Sequence, residues 1–280
     1  MVIRDLSGAS MEQLHEAMLD AYSDYVVPMP ISRAQFEHML TQRAFVPAYS
    51  RGVFEDEKLV AFWFVGLSEA HGPETLYAIS VGTRPQWRRR GLAEALFRQI
   101  VQVAPDEASD FVLECITTND KALAAYEKLG FQKSRRVILS RGSYSTFQAS
   151  PAFSLEDISL HEARDLAGTL QVWSPTWQNS FGALDAFPNE ARCLLARNRD
   201  GNPEGLACFA RGTGQLHQLA VPHGPKRKEI MATLFHGAET DSEELRYFVN
   251  IDAEDGELLD LLASHGWDHY GAQYEMRLVL

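Results

Sequence analysis

The stretch RPQWRRRGLAEAL, residues 84–96, places three arginines directly before a glycine and the start of a periodic apolar run. A strand-like run, LYAISV, precedes the arginines. The apolar residues that follow are spaced four, four and three positions apart, at Leu92, Leu96, Ile100 and Val103. That spacing puts them on one face of a helix. The stretch therefore predicts a strand, a basic turn and the start of an amphipathic helix.

A basic turn followed by a helix start has the elements of an anion-binding site. The first backbone N–H groups of a helix lack partners within the helix, and the positive end of the helix dipole lies there. Gly91 and Ala93 carry no large side chain that would keep a phosphate from the backbone, and the arginines add positive charge. By itself the pattern is also typical of a solvated basic turn that caps an ordinary helix.

Composition and charge exclude several classes of protein. The formal net charge of −12 opposes a general nucleic-acid binder, because phosphate neutralisation needs a basic face. Three scattered cysteines are typical of a reducing compartment rather than of a disulfide scaffold. No apolar stretch approaches the length of a membrane span, and the N-terminus lacks the apolar core of a signal peptide. We therefore expect a soluble, cytoplasmic protein with neither nucleic acid nor membrane as partner.

The sequence also repeats itself. DFVLECITTNDKALAAYEKLGF (110–131) and RYFVNIDAEDGELLDLLASHGW (246–267) each indicate a strand, a polar turn, a helix and a glycine before an aromatic residue. Aligning Gly130 with Gly266 places Phe111 opposite Tyr247. A chain of 280 residues also exceeds what one typical core fills. We therefore predict two domains, 1–145 and 146–280, with the small polar segment 141–152 as the linker.

Two motifs in the first domain resemble those of one enzyme family. Arg88-x-x-Gly91-x-Ala93 after a strand resembles the pyrophosphate loop of the GNAT N-acetyltransferases. The residues that match the family's next motif, N-x-x-A-x-x-x-Y-x-x-x-G-F, are Asn119, Ala122, Tyr126, Gly130 and Phe131. Two linked motifs in the right order are more specific than either alone. The chain thus resembles a tandem GNAT protein, which implies an α/β (α+β) fold of two domains, each a twisted mixed sheet with a splayed parallel strand pair flanked by helices.

The resemblance implies an acyl-CoA cosubstrate, with acetyl-CoA as the expected one. The splayed strands would be residues 76–81 and 111–116, with the pantetheine arm in the gap between them. Backbone groups of Ile79, Ser80 and Val81 are expected to pair with the pantetheine amides. The residues expected to hold the pyrophosphate are Arg88, Arg89, Arg90, Gly91, Leu92 and Ala93, and Asn119 and Tyr126 are also expected to contact the coenzyme.

Acetyl transfer to an amine requires that the amine lose a proton and that the departing thiolate regain one. By its place in the motif, Tyr126 resembles the family tyrosine beside the CoA sulfur, so we expect it to be the acid. Glu114 is the expected base, because strand alternation puts its neighbours Leu113 and Cys115 on the opposite face. In role it resembles a strand glutamate of the ribosomal-protein N-terminal acetyltransferases. The alternatives are a core tyrosine, an ion-paired carboxylate and a proton route through water.

The acceptor site is less defined in the sequence. The segment 22–40 resembles the helical insertion that covers the acceptor in GNAT enzymes, so Tyr22, Tyr25 and Phe36 are candidates for substrate binding. Trp177 is a candidate from the second domain. Packing is the alternative for each of these aromatic residues. No metal site is expected, because the nine histidines show no ligand spacing.

The second copy lacks the residues expected to do chemistry. Counting along it puts Glu229, Asn250 and Leu262 at the places of Gly91, Glu114 and Tyr126. A carboxylate repels a phosphate, and a longer side chain covers the backbone. We therefore predict a non-catalytic GNAT-like second domain that completes the acceptor pocket, supports the first domain or forms a homodimer contact.

These expectations describe an acyl-CoA-dependent N-acetyltransferase that passes its acetyl group directly to a primary amine of an unidentified acceptor. Direct transfer is expected because no cysteine stands in a nucleophile's context. The alternatives are a non-catalytic acyl-CoA-binding sensor or scaffold and a tandem acetyltransferase of the mycothiol-synthase type. An enzyme is favoured because the first copy retains Arg88, Gly91, Ala93, Glu114 and Tyr126.

Overall fold

The computed structural model describes residues 1–24, 30–67, 75–170, 174–238 and 245–280. The chain divides into two compact units. Unit 1 contains Met1–Ser134 together with Met276–Leu280, and unit 2 contains Arg135–Glu275. The domain limits expected from the repeat, 1–145 and 146–280, stay predictions. None of the helices in the described ranges is long and apolar enough to cross a bilayer.

Unit 1 begins with a short strand, β1 (Val2–Asp5), and two helices, α1 (Met11–Ala21) and α2 (Arg33–Gln42). Each helix starts at a serine whose hydroxyl and a glutamine three residues later form a capping box, which fixes where the helix begins. The remaining elements are β2 (Arg51–Glu55), β3 (Lys58–Leu67), β4 (Thr75–Thr83), α3 (Leu92–Val103), β5 (Asp110–Ile116) and α4 (Asp120–Lys128).

The strands of unit 1 form a sheet in the order β1-β2-β3-β4-β5. Neighbouring strands are antiparallel except β4 and β5, which are parallel. The last residues of the chain, Met276–Leu280, lie next to β5. Arg277 donates to both carboxylate oxygens of Asp110 at 2.5 and 2.6 Å, and the backbone N–H of Leu280 donates to the Ser109 carbonyl at 2.8 Å. The end of the chain is therefore a structural part of unit 1.

Strands β4 and β5 separate after a short paired stretch. Thr75–Tyr77 of β4 pair with Asp110–Val112 of β5, and the pairing then ends although both strands continue within the described part of the chain. A bulge in β4 accompanies the separation: on β3, Phe64 lies opposite Ser80 and the next residue lies opposite Ala78, so Ile79 is the extra residue. The splayed parallel pair expected from the sequence is confirmed.

Aromatic rings fill the side of the sheet on which α3 and α4 pack. Trp63, Phe97, Phe111 and Phe131 are at most 7% exposed, and their ring centroids lie 5.4–6.1 Å apart. Contacts of this kind combine a large buried apolar area with favourable ring geometry. Because side chains alternate along a strand, Glu114, three residues beyond Phe111 on β5, points to the opposite face of the sheet.

Unit 2 repeats this plan. Its elements are β6 (Gln132–Gly142, in unit 2 from Arg135), β7 (Ser154–Ile158), α5 (Leu160–Leu170), α6 (Phe181–Asp185), β8 (Ala191–Arg197), β9 (Pro203–Ala210), β10 (Leu216–Ala220), α7 (Arg227–Gly237), β11 (Arg246–Asp252), α8 (Gly256–Ser264) and β12 (Asp268–Val279, in unit 2 to Glu275). The strand order is β12-β6-β11-β10-β9-β8-β7. The parallel strands β10 and β11 pair at Leu216 and Phe248 and then separate, as β4 and β5 do.

The segment 141–152, expected to be a linker, belongs to the core of unit 2. Tyr144 and Phe147 are 3% and 1% exposed, and the Tyr144 hydroxyl donates to the Gly214 carbonyl at 2.7 Å. Gly142 lies against the Trp267 ring so closely that a β-carbon would come within 2.4 Å of it. The polar residues around Tyr144 and Phe147 suggested a linker. The free energy gained by burying the two aromatic rings nevertheless holds this segment in the core.

The repeat is confirmed in its helices and is shifted in one strand. The ring of Phe248 packs against Trp267 at 4.4 Å, as Phe111 packs against Phe131 at 5.6 Å. Tyr247, which the alignment placed opposite Phe111, is 43% exposed. Asn250 has φ +62°, and the register between β11 and β6 shifts nearby. The strand is thus irregular near Asn250, and Phe248 rather than Tyr247 is buried.

Candidate functional site

The site begins where β4 leads into α3. A short 3-10 turn, Pro85–Trp87, follows the strand, and Arg89 and Gly91 then adopt left-handed backbone conformations with φ of +62° and +73°. Gly91 is the N-cap of α3, and no side chain caps this helix end. The first N–H groups of α3 therefore stand at the positive end of the helix dipole without a side-chain acceptor, which is the arrangement that binds anions.

Gly91 is required here by its backbone conformation. A left-handed φ is unfavourable for residues with a β-carbon and is readily adopted by glycine. Nothing lies within 4 Å of the position that a β-carbon would take, so the space beside Gly91 is open. The open space leaves room for a ligand against the backbone at this turn.

Two of the arginines around this turn hold it to α1. Arg84 is 3% exposed, donates to the Leu59 carbonyl at 2.7 Å and forms ion pairs with Asp20 and Glu16. The second, Arg88, donates to both carboxylate oxygens of Asp24 at 2.6 and 2.7 Å. This hydrogen-bonded pair lowers the pKa of Asp24 and raises that of Arg88.

The Arg88 guanidinium also donates to the Ala21 carbonyl at 2.9 Å and to the Thr83 carbonyl at 3.1 Å. These contacts tie the turn to the end of α1, a structural use that the sequence did not indicate. The side chains of Arg89 and Arg90 are exposed, and Arg90 lies 4.6 Å over the ring of Trp87. Contact of these arginines with a pyrophosphate stays a prediction.

One cleft of about 270 Å³ joins the turn to α4. Tyr126 lines it, and the Tyr126 ring packs edge-on against Trp63 at 6.1 Å and Phe131 at 5.9 Å. The structure thus brings Tyr126 together with the start of α3, as the sequence predicted. The other lining residues are Trp63, Thr83, Trp87, Arg88, Arg89, Arg90, Gly91, Leu92, Ala93, Glu94, Ala125, Lys128 and Leu129.

An ion pair that the sequence did not suggest crosses this cleft. Lys128 on α4 contacts Glu94 in the first turn of α3 at 2.9 Å, and Arg98 contacts the same carboxylate at 2.7 Å. The hydrogen bond from Lys128, followed by its charge, holds the pKa of Glu94 below its usual range. A cation and an anion therefore both lie within reach of a ligand in the cleft.

Asn119, expected to contact the coenzyme, is the N-cap of α4. Its side-chain oxygen accepts a hydrogen bond from the backbone N–H of Ala122 at 3.2 Å. An asparagine cap of this kind satisfies one of the unpaired donors at a helix start. Capping of α4 thus explains why the family motif has an asparagine at position 119. A contact between Asn119 and the coenzyme stays a prediction.

Glu114 lies on the other face of the sheet. Leu113 and Cys115 are 2% and 4% exposed, whereas Glu114 between them is half-buried, as the expected alternation requires. The hydroxyl of Tyr77 on β4 donates to the Glu114 carboxylate at 2.5 Å. Burial raises the pKa of the Cys115 thiol to about 11, so this thiol is protonated at neutral pH and is a poor nucleophile.

Residues 11–131 match the acetyltransferase (GNAT) family. The matched range runs from α1 through the splayed strands, the start of α3 and Tyr126 on α4. The chain contains a GNAT acetyltransferase domain. Enzymes of this family use acyl-CoA to acylate amines, which agrees with an anion-binding helix start beside a splayed strand pair. No protein among those with curated descriptions matches the sequence.

Solved structures extend the likeness in fold beyond the GNAT domain. A provisionally assigned acetyltransferase from Pyrococcus horikoshii has a TM-score of 0.71 at 15% identity, with 100% of this chain and 89% of that chain covered. A tandem GNAT protein from the clavulanic acid biosynthesis pathway has a TM-score of 0.68 at 14% identity, with 99% of this chain and 98% of that chain covered. A GCN5-related N-acetyltransferase from Sphaerobacter thermophilus has a TM-score of 0.70 at 14% identity, with 99% of this chain and 95% of that chain covered. The fold is therefore that of two tandem GNAT-like units.

In the GNAT domain, the bulged end of β4 receives hydrogen bonds from the helices. The Tyr22 hydroxyl lies 3.0 Å from the Ser80 hydroxyl and donates to the Val81 carbonyl at 3.1 Å. Arg43, the C-cap of α2, donates to the Ile79 carbonyl at 3.3 Å. The part of β4 expected to pair with pantetheine is therefore positioned by two side chains, and that pairing stays a prediction.

The aromatic residues proposed for the acceptor site differ in their placement. Phe36 is 0% exposed and packs against His15 at 5.2 Å and Phe64 at 6.1 Å, so its contacts are those of a core residue. Tyr25 lies outside the described residues. Trp177 is 5% exposed in unit 2, inside a short 3-10 turn. Their roles in substrate binding stay predictions.

Unit 2 differs from the GNAT domain at the helix start, but not in the way that counting suggested. Helix α7 starts at Arg227 with Lys226 as N-cap, so Lys226 rather than Glu229 takes the place of Gly91. Glu229 lies in the first turn and accepts a hydrogen bond from Ser150. The prediction was wrong by one helical turn because the connection before α7 is shorter than the one before α3.

An internal ion pair joins the starts of the two helices in unit 2. Arg227 is 1% exposed and donates to both carboxylate oxygens of Asp255 at 2.6 Å. The Asp255 carboxylate also caps α8 by accepting from the Leu258 N–H at 3.2 Å. The N-caps of the corresponding helices differ in residue type, Gly91 in the GNAT domain and Lys226 in unit 2, and neither helix start has a side-chain cap. The start of α7 thus carries a long side chain at its N-cap and a buried ion pair beside it.

The other two replacements in unit 2 are also visible. Leu262 on α8 is 0% exposed and stands where Tyr126 stands on α4, as predicted. Asn250 is buried, donates to the Thr176 hydroxyl at 3.1 Å and accepts from Gln273 at 2.9 Å. Its left-handed backbone takes it out of the strand alternation that exposes Glu114. In the described ranges of both units, no group of three or more His, Cys, Asp or Glu side chains is placed to hold a metal ion.

Proposed function

We propose that the GNAT domain transfers an acetyl group from acetyl-CoA directly to a primary amine. The observation that carries the proposal is the shared cleft: the uncapped start of α3 and the hydroxyl-bearing Tyr126 line the same space. An anion-binding helix start holds the charged end of a nucleotide thioester, and a tyrosine near the reacting end supplies a proton.

The donor-binding residues follow from the cleft. The N–H groups at the start of α3, with Gly91 and Ala93 leaving the backbone open, would hold the pyrophosphate. Arg89 and Arg90 would add charge from exposed positions, while Arg88 keeps the turn in place through Asp24. Acetyl-CoA supplies the thioester whose acyl carbon the amine attacks.

Two side chains would move protons. Glu114 would accept a proton from the acceptor ammonium, whose ordinary pKa is about 10.4 for a lysine-like amine. On the other face of the sheet, Tyr126 would donate its proton to the departing thiolate. The base and the acid need to be separate groups, one on each side of the gap between β4 and β5. Direct transfer is supported by Cys115, whose thiol is buried, protonated and on the face opposite Glu114.

Thiol release from acetyl-CoA, measured against a panel of small amines, amino acids and peptides with free N-termini, tests the proposal. We expect Tyr126→Phe and Glu114→Gln each to lower kcat roughly 10²–10⁴-fold, the contribution of a general acid or base. Tyr144→Phe, which removes a buried hydroxyl from unit 2, is the control for a non-specific loss of stability. Binding of acetyl-CoA without release for every amine would contradict the proposal and indicate a sensor.

Unit 2 is proposed to be non-catalytic. Lys226 takes the place of Gly91 at the start of α7, and Leu262, at the place of Tyr126, has no proton to donate. Unit 2 would then support the structure of the GNAT domain or contribute to acceptor binding.

A further inference from the structure

We propose that Tyr77 is a positioning residue for Glu114: it fixes the carboxylate at the edge of the strand gap and keeps it charged. The inference rests on the proposed function, in which Glu114 is the base. No sequence pattern indicates this role, because Tyr77 lies in an apolar strand where a tyrosine is typical of the core.

The position of Tyr77 suits it to this role. It is 1% exposed and is the last residue of β4 that pairs with β5, opposite Val112. Glu114 stands two residues beyond Val112, where β5 has already left β4. The 2.5 Å hydrogen bond from the Tyr77 hydroxyl therefore spans the start of the gap, at a point where backbone pairing no longer holds the two strands together.

The hydrogen bond acts on the charge of Glu114 as well as on its position. A hydroxyl that donates to a carboxylate stabilises the charged form and disfavours protonation. Glu114 must be charged to take a proton from the acceptor ammonium. In that step one N–H bond of the ammonium breaks and one O–H bond forms on the Glu114 carboxyl, while Tyr77 keeps its own proton. Tyr77 then favours release of that proton from Glu114 after transfer.

Other charged or titratable groups lie around the same part of the sheet. Arg43 from α2 and Tyr22 from the end of α1 donate to carbonyls of β4, at Ile79 and Val81. On β5, Asp110 pairs with Arg277, and the thiol of Cys115 points to the opposite face. All of these groups remain in a Tyr77→Phe variant, so a change in the titration of Glu114 in that variant reports the lost hydroxyl.

The test is the pH dependence of kcat/KM for the wild type, Tyr77→Phe, Glu114→Gln and the control Tyr144→Phe. Removing the donor raises the pKa of Glu114, so the acid limb of Tyr77→Phe is expected to move to higher pH by about one unit, the effect of losing one hydrogen bond to a charged group. The control is expected to keep the wild-type limb. An unmoved limb in Tyr77→Phe would overturn the inference, and so would a wild-type profile in Glu114→Gln.

A second substitution keeps the ring and its hydroxyl in place. Incorporation of 3-fluorotyrosine at position 77 makes the hydroxyl a stronger donor, so the acid limb is expected to move to lower pH, opposite to the shift in Tyr77→Phe. This variant tests the inference even if Tyr77→Phe does not fold. Shifts in the same direction for both variants, or none for the fluorinated one, would contradict it.

A measurement without an acceptor separates this inference from the proposed function. Carboxyl ¹³C NMR, with the Glu114 signal assigned by its loss in Glu114→Gln, gives the pKa of Glu114 in the wild type and in Tyr77→Phe. A higher pKa in the variant supports the positioning role, and equal values overturn it. If no amine is acetylated, the proposed function fails while this comparison still decides the role of Tyr77.

Discussion

The arginines of the opening stretch serve two different purposes. Arg84 and Arg88 form ion pairs with acidic residues of α1 and its end, so they hold the turn in place, and Arg88 also lines the cleft. Arg89 and Arg90 are exposed and line the same cleft. Their neighbour Gly91 provides the left-handed backbone from which α3 starts. At the residue scale, part of the positive charge at this turn therefore has a structural role.

Gly91 offers a direct test of the anion site. Gly91→Glu puts a negative charge into open space at the first turn of α3, so we expect the Kd for acetyl-CoA to rise roughly 100-fold or more through like-charge repulsion. Gly91→Ala is the matched control, because it imposes the same left-handed strain of about 1–2 kcal/mol without the charge. Calorimetric titration measures both. Equal losses in the two variants would assign the effect to strain, and wild-type affinity in Gly91→Glu would exclude the site.

At the scale of single elements, the sheet of unit 1 depends on residues far away in sequence. The C-terminal segment Met276–Leu280 lies beside β5, and Arg277 holds the first residue of that strand, Asp110. The strand that carries Glu114 is thus supported on one side by Tyr77 and β4 and on the other by the end of the chain.

The Asp110–Arg277 pair predicts a dependence of stability on pH. Hydrogen bonds from Arg277 hold the pKa of Asp110 below its usual range. A carboxyl with a lower pKa in the folded state stabilises the fold above its unfolded pKa of about 3.9, and this contribution disappears as the pH falls through the folded pKa. Arg277→Ala should lower the free energy of unfolding by about 1 kcal/mol at pH 7, because the guanidinium is 57% exposed and water screens the pair.

Urea unfolding at pH 7 and at pH 2–3 measures this difference. The gap between wild type and Arg277→Ala is expected to be smaller at the acidic pH. Arg98→Ala, which breaks an exposed pair with Glu94 within one helix, is the control. An equal gap at both pH values would show that the effect of Arg277 does not depend on the charge of Asp110.

At the scale of the whole molecule, the two units share the plan of the sheet and differ at the start of the helix that follows the first strand of the parallel pair. Both units have a parallel strand pair that separates after a short paired stretch. Unit 2 has Lys226 at the place of Gly91, and a buried pair of Arg227 and Asp255 joins the starts of its two helices. The start of α7 is thus held by an ion pair within unit 2.

This difference predicts the stoichiometry of coenzyme binding. We expect one molecule of acetyl-CoA per chain in a calorimetric titration, because the helix start of unit 1 has Gly91 with open space beside it, whereas Lys226 takes that place in unit 2. In Gly91→Glu we expect no second site to appear at coenzyme concentrations near the wild-type Kd. A stoichiometry of two in the wild type, with one site of unchanged affinity left in Gly91→Glu, would show that unit 2 binds coenzyme.

The sequence by itself determined the duplication, the strand–turn–helix of the anion site and the motif that places Tyr126, because each depends on residues close together in the chain. It also indicated which face Glu114 takes, since alternation is a local property of a strand.

Only the tertiary structure showed that Arg88 contacts Asp24, that Tyr77 contacts Glu114 and that residues 276–280 lie beside β5 in the first sheet. It also showed the irregular strand register near Asn250 and the shorter connection before α7. These features depend on strand registers and on contacts between distant segments, which packing of the whole fold decides and no local pattern encodes.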